Sequence, residues 1–88
     1  MNRSIRRASL SGARLDGVNL WGTHLEGANL RGACLRHAGL SDAYLGRLNP
    51  KGKKYKYGAD LSGVDLTDAY LDNVSGLDEA KKTGIRGL

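Results

Sequence analysis

Leucine returns at every fifth position over residues 8–45, as Leu10, Leu15, Leu20, Leu25, Leu30, Leu35, Leu40 and Leu45. Two residues before each stands a small side chain: Ala8, Ala13, Val18, Thr23, Ala28, Ala33, Ala38 or Ala43. Two residues after the first five stands a glycine, from Gly12 to Gly32. The beat resumes as Ala59/Leu61, Val64/Leu66 and Ala69/Leu71. A period of five matches neither the 3.6 of an amphipathic helix nor the 2 of a flat strand. On a helix, residues five apart advance by about 500°, so the leucines would spread around every side. They share one interior only if the chain turns a corner once per repeat. Four such corners close a square coil of about twenty residues, a solenoid period. Small residues let the chain lie close to the axis, and glycine near a corner accepts backbone angles that other residues resist. Coils of this shape stack at the inter-strand spacing, about 4.8 Å, through backbone hydrogen bonds.

The motif A-x-L-x-G, as in Ala28-Asn29-Leu30-Arg31-Gly32, resembles the pentapeptide-repeat family, whose repeat is written A-(D/N)-L-x-x. The resemblance runs over residues 8–45 and 59–74, through eleven repeats. It implies an all-β fold, a right-handed quadrilateral β-helix with the leucine and the preceding alanine inside. The expected organisation is one pentapeptide-repeat domain over residues 1–88 with about three coils. A basic loop at 46–58 interrupts it and a cap at 75–88, containing a short C-terminal helix, closes it.

Charge is distributed unevenly. Residues 46–58 hold Arg47, Lys51, Lys53, Lys54 and Lys56 and no acid, which accounts for the whole net charge of +5. Residues 1–45 carry six basic and three acidic side chains, and residues 59–88 carry three basic and six acidic, so the rod is neutral but polarised. No run of eighteen apolar residues exists to span a membrane. The basic start, residues 1–7, leads into repeats rather than into the apolar stretch of a signal peptide. The single cysteine, Cys34, rules out an internal disulfide and fits a reducing, cytoplasmic location.

A twenty-residue coil fixes which residues stack. Asp16 falls under Arg36, an expected cross-coil ion pair. His24 falls under Tyr44 and Trp21 sits just before the same corner, so these three are expected to form an exposed aromatic patch. Asn49-Pro50 signals a turn, and Lys51-Gly52-Lys53-Lys54-Tyr55-Lys56-Tyr57-Gly58 reads as a loop leaving the solenoid near that patch. If the loop only interrupts, Leu61, Leu66 and Leu71 stack over Leu30, Leu35 and Leu40. Gly76 occupies a leucine position, where the core is expected to stop. Residues 78–84 read as a short helix with Asp78 as N-cap and Gly84 at its end. Leu77, Ile85 and Leu88 then form a lid over the last coil, or a dimer face.

No catalytic constellation emerges. Cys34 and His37 lack a third ligand or an orienting acid, and the carboxylates Asp60, Asp65, Asp68 and Asp72 point to different outer faces. No cofactor or metal is implied. The expected function is a non-enzymatic protein-interaction module, a rigid rod whose contact surface is Trp21, His24, Tyr44, Lys51, Lys53, Lys54, Tyr55, Lys56 and Tyr57. Lysines interleaved with tyrosines also suit phosphates and bases, so nucleic acid through Lys51 to Tyr57 is the alternative partner. Stacked coils also expose apolar ends, which points to self-association through the solenoid ends. From the resemblance comes a further reading. Some pentapeptide-repeat proteins modulate DNA gyrase by presenting an acidic, DNA-like rod; the neutral rod and basic loop here depart from that pattern.

Overall fold

The computed structural model describes residues 4–47 and 57–88. Backbone pairing is parallel throughout and one residue wide. Ser4 pairs with His24, Ser9 with Asn29, Arg14 with Cys34 and Asn19 with Gly39, each twenty residues apart. These columns define four faces, numbered first to fourth in chain order. The first carries Ser4, His24, Tyr44 and Ser75; the second Ser9, Asn29, Asp60 and Lys81; the third Arg14, Cys34, Asp65 and Arg86; the fourth Asn19, Gly39 and Tyr70.

Each corner is a four-residue turn. At the first glycine corner the Ala13 amide donates to the Leu10 carbonyl at 3.0 Å, and Gly12 has φ of 70°, the left-handed third position of a type II turn. Where glycine is missing, Arg7, His37, Asp42, Asp68 and Asn73 hold the same region at φ of 58° to 61°; all but Arg7 are residue types that tolerate it best. From Leu10 to Leu71 every turn aims a leucine inward. Leu25, Leu30, Leu35, Leu40, Leu45, Leu61 and Leu66 are all at most 1% exposed, with Ala28, Ala33, Ala38, Ala43, Ala59 and Val64 beside them.

The insertion leaves the register intact. Asn29 pairs with Asp60, thirty-one residues on, so eleven more residues separate this pair than separate Ser9 from Asn29. The Ala59 amide donates to the Leu45 carbonyl at 2.9 Å and closes that corner. Leu61, Leu66 and Leu71 thereby stack over Leu30, Leu35 and Leu40, as the bonds from Leu30, Leu35 and Leu40 to Asp60, Asp65 and Tyr70 place them.

The C-terminal segment differs from the expected helix. Only Leu77–Glu79 is helical, one turn of 3-10 type. After it the chain resumes stacking, with Lys81 paired to Asp60 and Arg86 to Asp65, twenty-one residues apart. The 3-10 turn absorbs the extra residue. This last coil has no leucine at its inward positions: Gly76 lies over Leu45, Lys82 over Leu61 and Gly87 over Leu66. Lys82 lays its stem there and donates from Nζ to the Leu77 carbonyl at 2.6 Å, as long cationic side chains do at an apolar margin. Leu77 and Ile85 pack against the core, whereas Leu88 is 63% exposed and takes no part in the lid.

The expected Asp16–Arg36 pair is replaced. Arg36 reaches Asp65 at 3.6 Å, and Arg31 reaches Asp60 at the same distance. In both cases an arginine just after a leucine meets the carboxylate just before the leucine one coil on. The polarisation of the rod is thus spent between neighbouring coils. The arginines are about half exposed, so each pair contributes less than about 1 kcal/mol. Among the described residues no helix is long and apolar enough to cross a membrane.

Candidate interaction surface

On the first face the twenty-residue register lays the His24 and Tyr44 rings parallel, with centroids 4.2 Å apart and planes within 4°. Arg6 Nη2 lies 2.9 Å from His24 Nδ1, and Glu26 Oε2 lies 3.2 Å from the same atom. One nitrogen cannot accept from arginine and donate to a carboxylate at once, so the two contacts belong to alternative tautomers. Arg6 Nε also approaches Glu26 Oε1 at 3.4 Å. The stacked pair therefore sits in a polar frame beside the corner that leads to the second face.

The inserted segment begins and ends at that corner. Its stem is held by Glu79 of the 3-10 turn. The Arg47 amide donates to Glu79 Oε1 at 3.0 Å, Arg47 Nη2 to Oε2 at 3.2 Å, and the Gly58 amide to the Glu79 carbonyl at 2.9 Å. The Arg47 amide and guanidinium hold the Glu79 carboxyl below the ordinary carboxylate range. Three glycines make room. A Cβ on Gly58 would stand 2.3 Å from the Leu45 carbonyl oxygen, and one on Gly76 would stand 2.3 Å from Gly46 Cα. Tyr57 is half exposed, with Lys81 Nζ 5.9 Å from its ring centroid. Lys51, Lys53, Lys54, Tyr55 and Lys56 lie outside the described residues.

Two further carboxyls lie low. Asp65 accepts from the Thr67 hydroxyl and amide and faces Arg36 and Arg86, which hold it down. At Asp60 burial acts in the opposite direction, but Ser62, whose amide donates to Oδ1, and the Arg31 and Lys81 cations outweigh it.

Among the described residues the ring stack joins His24 to Tyr44, while Trp21 leans onto the fourth face across Gly39. A Cβ on Gly39 would lie 2.8 Å from Trp21 Cδ1 and Nε1. The Trp21 amide donates to Asn19 Oδ1 at 3.0 Å, which fixes the approach. Gly39→Ala is expected to push the indole outward and red-shift the emission of this single tryptophan, with the far-UV spectrum unchanged. An unshifted spectrum would show that Trp21 does not rest on Gly39. Tyr70, 62% exposed, joins Trp21 on this face; its signal in the sequence is its place before Leu71, one coil above Gly39. Cys34 is half-buried on the third face, and His37 turns to Asp68 at 3.8 Å. No group of three His, Cys, Asp or Glu side chains among the described residues is arranged to hold a metal ion.

A family model described as pentapeptide repeats matches residues 5–47 in eight copies. The structure of the pentapeptide repeat protein Rfr23 from the cyanobacterium Cyanothece 51142 is similar over 89% of this chain and 46% of its own, with TM-score 0.72 and 29% identity. The chain carries pentapeptide repeats over residues 5–47, and its likeness to pentapeptide-repeat structures implies the right-handed quadrilateral β-helix. More distant likenesses are HetL of Nostoc, a pentapeptide repeat protein involved in heterocyst differentiation regulation (TM-score 0.43, 28% identity, 92% of this chain and 46% of that one), and QnrB1, a plasmid-mediated fluoroquinolone resistance protein (TM-score 0.49, 20% identity, 94% and 36%). The chain spans less than half the length of each of these three structures. No curated protein sequence matches it.

Proposed function

We propose that this chain is a non-enzymatic protein-interaction module that presents its basic loop, with Tyr57 and the His24/Tyr44 stack, to an acidic surface of a protein partner. The pentapeptide-repeat fold is a scaffold of the protein-interaction type. The observation that carries the reading is the clamp at the loop stem. Glu79 binds Arg47 and Gly58 on the two sides of the neck, so both ends of the segment whose sequence holds Lys51, Lys53, Lys54 and Lys56 are tied to one corner. Concentrated charge on a rigid frame steers association and fixes orientation. The resistance function named for QnrB1 belongs to that protein.

Lys51→Ser, Lys53→Ser, Lys54→Ser and Lys56→Ser together test the reading. The melting temperature should stay within a few degrees of the parent, because none of these positions lies on the leucine beat. The parent should retain a protein partner from a lysate at physiological salt, and the fourfold variant should lose it. Labelled duplex and single-stranded DNA should bind neither. If the parent binds DNA with a steep salt dependence that the variant lacks, the loop contacts phosphates and the nucleic-acid alternative replaces the protein one.

A further inference from the structure

The fourth face and the corner that follows it carry a second surface, opposite in charge to the loop. Trp21 and Tyr70 are 55% and 62% exposed. Between their levels lies Gly39, which has no side chain and is roofed by the Trp21 ring. The next corner stacks Trp21, Ser41 and Asp72 in successive coils, as the bonds from Gly22 to Ser41 and from Asp42 to Asp72 place them. Ser41 is 3% exposed, and its hydroxyl has no hydrogen-bond partner, which is costly for a buried polar group. Asp42 and Asp72 are exposed on consecutive coils. Glu26, Asp60, Asp65, Asp68 and Glu79 each have a cationic or histidine neighbour. Among the described residues, no such neighbour lies within ion-pair distance of Asp16, Asp42, Asp72 or Asp78, and of these four only Asp42 and Asp72 share a corner.

We propose that Trp21, Ser41, Asp42, Tyr70 and Asp72 form a docking surface for an extended segment of a partner protein bearing lysine or arginine. An ammonium or guanidinium placed there lies over exposed aromatic faces, which attract cations through the ring quadrupole. It separates two like charges that otherwise repel across one coil step, directly beside the buried Ser41 hydroxyl that has no partner. An acidic segment or a nucleic acid meets two uncompensated carboxylates and is rejected. The surface is independent of the basic loop, which recognises the opposite charge.

The chain has one tryptophan, so Trp21 emission reports on this surface directly. The probes are a short peptide alternating lysine with serine and its counterpart with glutamate in place of lysine. The lysine peptide is expected to change Trp21 emission saturably at physiological salt, and the glutamate peptide to leave it unchanged. The double variant Asp42→Asn, Asp72→Asn should weaken the lysine peptide by roughly tenfold or more. Asparagine has the same shape and tolerates the left-handed φ of 61° at position 42, so the fold is kept; circular dichroism verifies it. Tyr70→Ala should weaken binding as well, and the fourfold loop variant should bind as the parent does. The proposal is overturned by equal affinity in the double asparagine variant, by saturable binding of the glutamate peptide, or by no response at millimolar peptide. It is also overturned by an emission change with protein concentration alone, which assigns the surface to a second copy.

Discussion

Leu30→Lys is expected to leave the chain unfolded, without the cooperative melt of the parent. Leu30 is fully buried, with Leu10 one coil below and Leu61 one coil above. Emptying such a site to alanine costs about 2–5 kcal/mol. Lysine adds an ammonium that no polar group in this column can solvate. The total stability of a small domain is about 5–15 kcal/mol, so the substitution removes most or all of it. The molecule contains its own control. Lys82 occupies the same column over Leu61, but in the terminal coil, where its Nζ reaches the Leu77 carbonyl at 2.6 Å. Depth in the stack therefore separates a tolerated lysine from a fatal one. A normal melting curve for Leu30→Lys, read by circular dichroism, would refute the buried column.

Gly76→Val should detach the last coil while the rest stays folded. Two costs coincide at this position. Gly76 has φ of 79°, which disfavours a side chain by roughly 1–2 kcal/mol. Its Cβ would also stand 2.3 Å from Gly46 Cα and N, which are backbone atoms that cannot swing aside. The melting temperature should fall by roughly 10 °C or more, given about 4–8 °C per kcal/mol in a domain of this size. Amide exchange locates the damage. Leu61, Gly63 and Leu66 donate to Lys81, Thr83 and Arg86 of the last coil and should lose protection, whereas Leu10 and Leu15, bonded to Asn29 and Cys34, should keep it. Gly84→Ala is the comparison, with φ of 69° but its nearest neighbour at 3.9 Å. It should show only the conformational cost. Uniform loss of protection in Gly76→Val would mean that the last coil is not a separate unit.

The leucine column was legible because a period of five leaves one arrangement that hides every leucine. The stacking of Leu61 over Leu30 was legible for a related reason: a segment that leaves and returns at one corner does not alter the phase. The C-terminal coil was not. Asp78, Lys81, Lys82 and Gly84 have the order of a short helix, but so brief a segment gains little from propensity. The bonds from Lys81 to Ala59 and from Arg86 to Val64, both 2.9 Å, outweigh it. The beat was hidden there by one extra residue and by Lys82 and Gly87 at leucine positions. For the candidate surface, sequence spacing gave the His24/Tyr44 stack and the corner of Trp21. It did not give the direction of the indole, which the missing side chain of Gly39 decides. Nor did it give the Glu79 clamp, since the glutamate lies thirty-two residues beyond Arg47 and meets it only after the insertion and the 3-10 turn have both been placed. Asp16 and Arg36 are one coil apart as expected, yet the arginine reaches onward to Asp65, a preference that spacing alone does not rank.

The bond from the Ala59 amide to the Leu45 carbonyl makes the corner indifferent to what lies between its two ends. Loop closure grows only slowly with length, by about 0.6 kcal/mol for each doubling. Chain inserted between Gly46 and Gly58 does not propagate into the phase of the coils above or below. The neck is thus a splice port, at which a longer, shorter or differently charged segment can be exchanged while the frame that holds it keeps its register. In such a molecule the inserted segment and the leucine column are written in separate stretches of the chain, and the one can be rewritten without editing the other.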